Sequence, residues 1–227
     1  MRVLQGLGTK GKSLAEGQDA WRMTEIDVPA DGSCFFHSVA TAMDESIEAW
    51  HDIEELRVPM ERYWQAYTDS TGHSDSGITS SLIRFMCAEN IDEGTLSKYN
   101  AEAQYRKHTL KERGVVVHKN LKGFREHVLK PHTWVDHASF SAFLKSLNFR
   151  CGLVVFDTGC GGISYLPPQW TRRKLLYIFL LRRRNHYNVL RIEKGGQGLD
   201  LCVCYRHTKE FVDWIVANDA AKVLSEF

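Results

Sequence analysis

The tetrapeptide Asp31-Gly32-Ser33-Cys34 brings a thiol out of a glycine-containing turn, and from Cys34 the apolar residues Phe35, Val39, Ala42 and Met43 recur at helical spacing. A cysteine in the first turn of a helix meets backbone N–H groups without intrahelical partners and the positive end of the helix dipole, both of which favour an anion. The expected result is a lowered thiol pKa. The same amides can hydrogen-bond the oxygen of a tetrahedral intermediate, so one local motif offers a nucleophile and oxyanion donors together. Because most cysteines are buried and inert, this reading requires a base.

Asn185-His186-Tyr187-Asn188 offers one. It follows an apolar run of strand length, and in an extended chain residues two apart point to the same side, so His186 and Asn188 share a side while Tyr187 points away into packing. The amide oxygen of Asn188 can accept from one ring nitrogen of His186, fixing the tautomer that turns the other nitrogen toward the thiol, as in a Cys-His-Asn triad. His37, one helical turn past Cys34, is the competing histidine. It lies too near the nucleophile to leave room for a substrate carbonyl, which suits a supporting or solvent-facing role.

With those residues in place, Asp31-Gly32-Ser33-Cys34-Phe35-Phe36-His37-Ser38 resembles the D-G-x-C-[FL]-[FYW]-[RH]-[ASV] nucleophile motif of the ovarian-tumour (OTU) cysteine proteases. His186-Tyr187-Asn188 is similar to that family's H-x-[DN] element, and Trp134, ahead of a helix ending at Leu147 and a strand at Val154, to its W-x-x-x-x-x-L-x-A-[LF] region. The resemblance runs from Ile26 to Ile192. It implies a papain-like α/β (α+β) fold, a small central β-sheet flanked by helices. It also implies hydrolysis of peptide or isopeptide bonds after the C-terminal glycine of ubiquitin or a ubiquitin-like modifier, without metal or other cofactor. Carried over by residue, Cys34 would be the nucleophile, His186 the general base and acid, and Asn188 the group orienting His186. Asp31, Gly32 and Ser33 would form the oxyanion loop.

Three departures stand beside that likeness. Val135 follows Trp134 where the family often has glycine, and the helical segment from Glu54 to Lys130, the expected seat of substrate choice, matches no family pattern. Asn188 replaces the commoner aspartate, a neutral orienter that stabilises an imidazolium less. A polyprotein-processing cysteine protease, and a catalytically dead fold that only binds ubiquitin, are the alternative functions.

The elements that must position these residues can be read from periodicity. Helices are expected at Met60 to Tyr67, Thr79 to Glu89, Gly94 to Arg113 and Ala138 to Leu147, and buried strands at Cys151 to Phe156 and Lys174 to Leu181. Tyr187 to Ile192 continues as a strand, the glycines 195, 196 and 198 form a turn, and Leu199 to Tyr205 with Glu210 to Leu224 suggest a last strand and helix. Gly159 to Pro168 reads as a loop. Residues 1–20 read as a mobile leader of low apolar content, 21–195 as the protease-like domain, and 196–227 as a strand–helix extension packed on it.

The 227 residues suit a single domain with terminal extensions. Lys plus Arg number 29 against 28 acidic residues, so no global field draws the chain to nucleic acid or an anionic membrane. Leu175 to Leu181 is too short an apolar run to span a bilayer, and an intracellular, cytosolic setting with reduced cysteines is expected. Cys202-Val203-Cys204 with His207 is an incomplete metal ligand set. Arg172-Arg173-Lys174 and Arg182-Arg183-Arg184 read as solvated edges, or as the lining of a groove for a modifier's tail.

Overall fold

The runs at 151–157 and 176–181 are too uniformly apolar to leave either side in water, and they lie side by side as parallel strands, buried on both faces. The computed structural model describes residues 9–13, 21–73, 77–133, 137–165 and 175–225. Its strands are β1 (Thr9–Ser13), β2 (Trp21–Ile26), β3 (Cys151–Asp157), β4 (Gly162–Tyr165), β5 (Leu176–Arg183), β6 (His186–Lys194), β7 (Gln197–Gly198) and β8 (Cys202–Cys204). They form one sheet in the order β1-β2-β6-β5-β3-β4, with β7 paired to β6 and β8 to β5, and only the β3–β5 pairing is parallel.

The helices are α1 (Cys34–Glu45), α2 (Ile47–Trp50), α3 (Glu54–Thr71), α4 (Ser80–Glu89), α5 (Glu93–His108), α6 (Leu121–Leu129), α7 (His137–Ser146), α8 (Tyr205–Ala217) and α9 (Ala220–Ser225). The strand period divides the core in two. Leu176, Ile178 and Leu180 of β5 join Phe35 and Val39 of α1, Leu82 and Met86 of α4, and Phe140 and Phe143 of α7 on one face. Tyr177, Phe179 and Leu181 join Phe211 and Ile215 of α8 on the other. The result is the mixed α/β class expected from the sequence.

Local chemistry sets several helix starts. Thr79, Asp92 and Asn120 cap α4, α5 and α6, each accepting a backbone N–H three residues on, from Leu82 (3.2 Å), Thr95 (2.8 Å) and Gly123 (2.8 Å). Among the described residues no helix is long and apolar enough to cross a membrane.

Two segments differ from the sequence reading. Thr9–Ser13, inside the stretch assigned to a leader, pairs antiparallel with residues 22–26 of β2, and Gly162–Tyr165, inside the expected loop, pairs with β3. Both are edge strands. Their pairing is made by main-chain groups, so neither needs the apolar alternation that marks a buried strand.

Candidate active site

Cys34 opens α1, and the turn before it closes on itself. Ser33 N–H donates to Asp31 Oδ1 at 2.9 Å, and Gly32 takes φ +80°, a conformation that favours glycine. A Cβ at Gly32 would also stand 2.4 Å from the carbonyl oxygen of His132, so the turn can lie against the 128–133 segment only if this residue has no side chain. The first helical hydrogen bond runs from His37 N–H to the Ser33 carbonyl at 2.9 Å. The amides of Cys34, Phe35 and Phe36 therefore have no acceptor within the helix. Ser33 is the N-cap residue, yet its hydroxyl makes no capping bond. Asp31, Gly32, Ser33 and Cys34 are thus gathered in one turn, with the helix-start amides beside the thiol.

Asp31 is flanked by two histidines, with His37 Nε2 3.3 Å and His132 Nδ1 3.2 Å from its Oδ2. Burial pushes its carboxyl up, but the Ser33 amide together with His37 and His132 outweighs that and holds it below the usual carboxylate value. His37, set aside as a base, lies beside the Asp31 carboxylate.

The Cys34 side chain departs from expectation. The residue is 3% exposed, and burial, joined by the nearby Asp31 charge, pushes the thiol above its ordinary value although the amides of Tyr187 and Phe35 lean toward the sulfur. Desolvation of the thiolate thus outweighs the helix end that was expected to lower the pKa.

The histidine strand reaches the thiol through its backbone. Cys34 Sγ donates to the Asn185 carbonyl at 3.9 Å, in the turn where Arg184 and Asn185 connect β5 to β6. Tyr187 packs edge-on against Phe35 and Phe140, with ring centroids 6.0 and 5.8 Å away, into the helical core as expected. By the strand period, His186 and Asn188 belong to the opposite face. Among the described residues no hydrogen bond links the His186 ring to Cys34 or Asn188.

Asn188 holds other partners. Its Oδ1 accepts from Val28 N–H at 3.1 Å, and its Nδ2 donates to Glu25 Oε1 (2.7 Å) and Asp27 Oδ1 (2.8 Å). Two carboxylates demand donors, so the amide turns its NH2 to them and its oxygen to Val28. Through these bonds Asn188 anchors β6 to β2 and the chain that follows it. Arg183, the register partner of His186, completes this network by pairing with the buried Glu25.

Sequence reasoning missed Arg84, the side chain that holds the other flank. It lies 3% exposed on α4 and donates to Ser33 Oγ (2.8 Å), Val128 O (2.7 Å) and Thr133 O (3.1 Å). A lone arginine inside the apolar run Leu82-Ile83-Arg84-Phe85-Met86 was the available signal. His132, Glu25 and Asp27 had none, because their partners lie far away in sequence.

The remaining features resolve simply. Arg182 pairs with Asp157 at 3.3 Å and Arg183 with Glu25, leaving exposed Arg184 at the turn. Cys202 is buried against the Ala42 carbonyl and Met43 sulfur while Cys204 is exposed, and none of the six cysteines is in a disulfide. Trp134, Val135 and Arg172-Arg173-Lys174 lie outside the described residues.

No protein-family model and no curated protein sequence matches the chain. Among solved structures it is similar to an ovarian-tumour (OTU) domain in complex with ubiquitin, at 14% identity over 90% of this chain and 86% of that one, TM-score 0.49. It is also similar to the Hazara virus OTU bound to ubiquitin, at 15% identity over 85% and 94%, TM-score 0.39. The viral OTU domain protease from Taggert virus gives 14% identity over 84% and 98%, TM-score 0.37.

Proposed function

We propose that this chain is a thiol-dependent hydrolase that cleaves the peptide or isopeptide bond after the C-terminal glycine of ubiquitin or a ubiquitin-like modifier. Cys34 is the nucleophile and His186 the proton carrier. The observation that carries the reading is the meeting of two chain segments: the Cys34 sulfur contacts the carbonyl of Asn185, the residue before His186. A helix start bearing a thiol and a strand start bearing an imidazole therefore converge at one point. The choice of a modifier tail as substrate rests on the sequence motif.

In this mechanism His186 takes the thiol proton as sulfur attacks the carbonyl carbon, which suits a resting thiol that burial keeps protonated. The oxyanion is met by the amides at the start of α1, in the turn braced by Asp31. Collapse transfers the proton to the leaving amine and leaves a thioester, which water hydrolyses with His186 as base. Catalytic hydrogen bonds in an unliganded enzyme are commonly long or poorly aligned until substrate binds, so an imidazole not yet bonded to the thiol accords with this role. Asn188 anchors the strand that bears His186.

A second reading, a ubiquitin-binding module without turnover, is favoured by the missing Cys34–His186 hydrogen bond and the raised thiol pKa. Incubation with di-ubiquitin and with a ubiquitin C-terminal electrophile separates the two. Cleavage and labelling that vanish in Cys34→Ala and His186→Ala support the hydrolase. Tight ubiquitin binding with neither cleavage nor labelling by reduced protein establishes the module.

A further inference from the structure

Burying an arginine is costly unless its charge and donors are matched. Arg84 is 3% exposed, and among the described residues no carboxylate pairs with it. Its acceptors are neutral: the Ser33 hydroxyl and the carbonyls of Val128 and Thr133, with the Phe36 ring 4.0 Å beneath the guanidinium. These contacts converge on the nucleophile. Ser33 precedes Cys34, Phe36 follows it within the first helical turn, and Val128 and Thr133 bracket the segment against which Gly32 is pressed. His132 N–H from that segment donates to the same Ser33 hydroxyl at 3.2 Å. The hydroxyl that would ordinarily cap α1 is held outward by these two donors, which keeps it off the amides assigned to the oxyanion.

We propose that Arg84 is a positioning residue: its planar guanidinium locks the Asp31–Ser33 turn to the 128–133 segment and so fixes the direction of the Cys34 sulfur and of the α1 amides. This rests on the reading of Cys34 as nucleophile. Lysine keeps the charge but offers a single ammonium point where the site uses a fork spanning three acceptors on two chain segments.

The test compares Arg84→Lys, Ser33→Ala and the double variant with Arg125→Lys, whose parent side chain donates to the Ile91 carbonyl. On a ubiquitin C-terminal aminocoumarin amide, Arg84→Lys is expected to lower kcat roughly 10- to 100-fold while KM stays within about twofold, the scale of a small misplacement of a reacting group. Ser33→Ala lowers kcat less. The double variant is no slower than Arg84→Lys, since both changes break one link, and Arg125→Lys keeps wild-type kcat.

Wild-type kcat in a folded Arg84→Lys overturns the proposal, as do effects of Arg84→Lys and Ser33→Ala that multiply independently. Should Arg84→Lys not fold, Ser33→Ala decides alone, and unchanged kcat there overturns it. If the wild type neither turns over the amide nor takes up the electrophile, the hydrolase reading has failed. Arg84 is then judged by the Cys34 alkylation rate with iodoacetamide, resolved by peptide mass spectrometry: a severalfold change in Arg84→Lys or Ser33→Ala upholds positioning, and equal rates overturn it.

Discussion

Two buried polar networks flank the candidate site, and they are built from opposite charges. On the cysteine side a cation, Arg84, grips neutral acceptors around the nucleophile turn. On the histidine side two carboxylates, Glu25 and Asp27, grip the Asn188 amide, with Arg183 on Glu25. Attack by a thiol onto a carbonyl would build negative charge on the cysteine side and positive charge on an imidazole of the histidine strand. Glu25 and Asp27 carry the sign that favours positive charge on the histidine strand, whereas on the cysteine side the Arg84 cation is opposed by the Asp31 carboxylate, whose charge raises the thiol pKa. The difference teaches that the site is braced from two separate sources, a helical segment with no family pattern and the sheet itself.

The largest expected effect strikes the sheet side. Asn188→Asp, which restores the residue commoner in the resembling family, removes an NH2 donor and sets a third carboxylate between Glu25 and Asp27. We expect it to cost about 2–4 kcal/mol of stability at neutral pH, the range for leaving buried charges unmatched. Urea unfolding checks this. An unchanged midpoint would mean that the carboxylates do not require the amide, and the contrast between the two networks would collapse.

That substitution also marks what was legible in the sequence. The start of α1, the turn chemistry of Asp31-Gly32-Ser33 and the central strands depend on neighbours within a few residues or on strong apolar runs, and they were readable. The partners of Asn188 lie 160 to 163 residues away on β2 and the chain after it, and no local pattern encodes them. The raised thiol pKa was hidden for a related reason. The helix end that lowers it is local, whereas the burial that wins is assembled by packing from distant elements. Edge strands β1 and β4 escaped notice because main-chain pairing leaves little trace in side-chain periodicity.

A smaller effect belongs to the cysteine side. His127 precedes Val128, whose carbonyl Arg84 holds, and its ring lies tilted against that of His118, centroids 4.5 Å apart. Burial, then the charges of His118, Lys130 and Arg84, push the His127 imidazole down to about 4. Its pKa in the folded protein is therefore below the unfolded value, so acid protonates the unfolded chain first. Stability is full above about pH 6.5 and drains as the pH falls from there toward 4. The ring is only half-buried, which reduces the loss to roughly 1–2 kcal/mol. His127→Asn should flatten the pH dependence of the urea midpoint across that window by this amount. An undiminished slope would place the acid sensitivity elsewhere.

The smallest effect tests how the two sides are joined. Ser38 is fully buried one helical turn beyond Cys34, and its hydroxyl donates to the Tyr187 carbonyl at 3.0 Å, a direct bond between α1 and β6. Ser38→Ala removes that bond without opening a cavity larger than an oxygen, and should cost about 1 kcal/mol. If the bond sets the distance between the arms, kcat on the aminocoumarin substrate falls severalfold, by less than in Arg84→Lys. If kcat is untouched while stability drops, the apolar contact of Tyr187 with Phe35 and Phe140 holds the arms together by itself. The polar networks then orient each arm separately and do not determine how they meet.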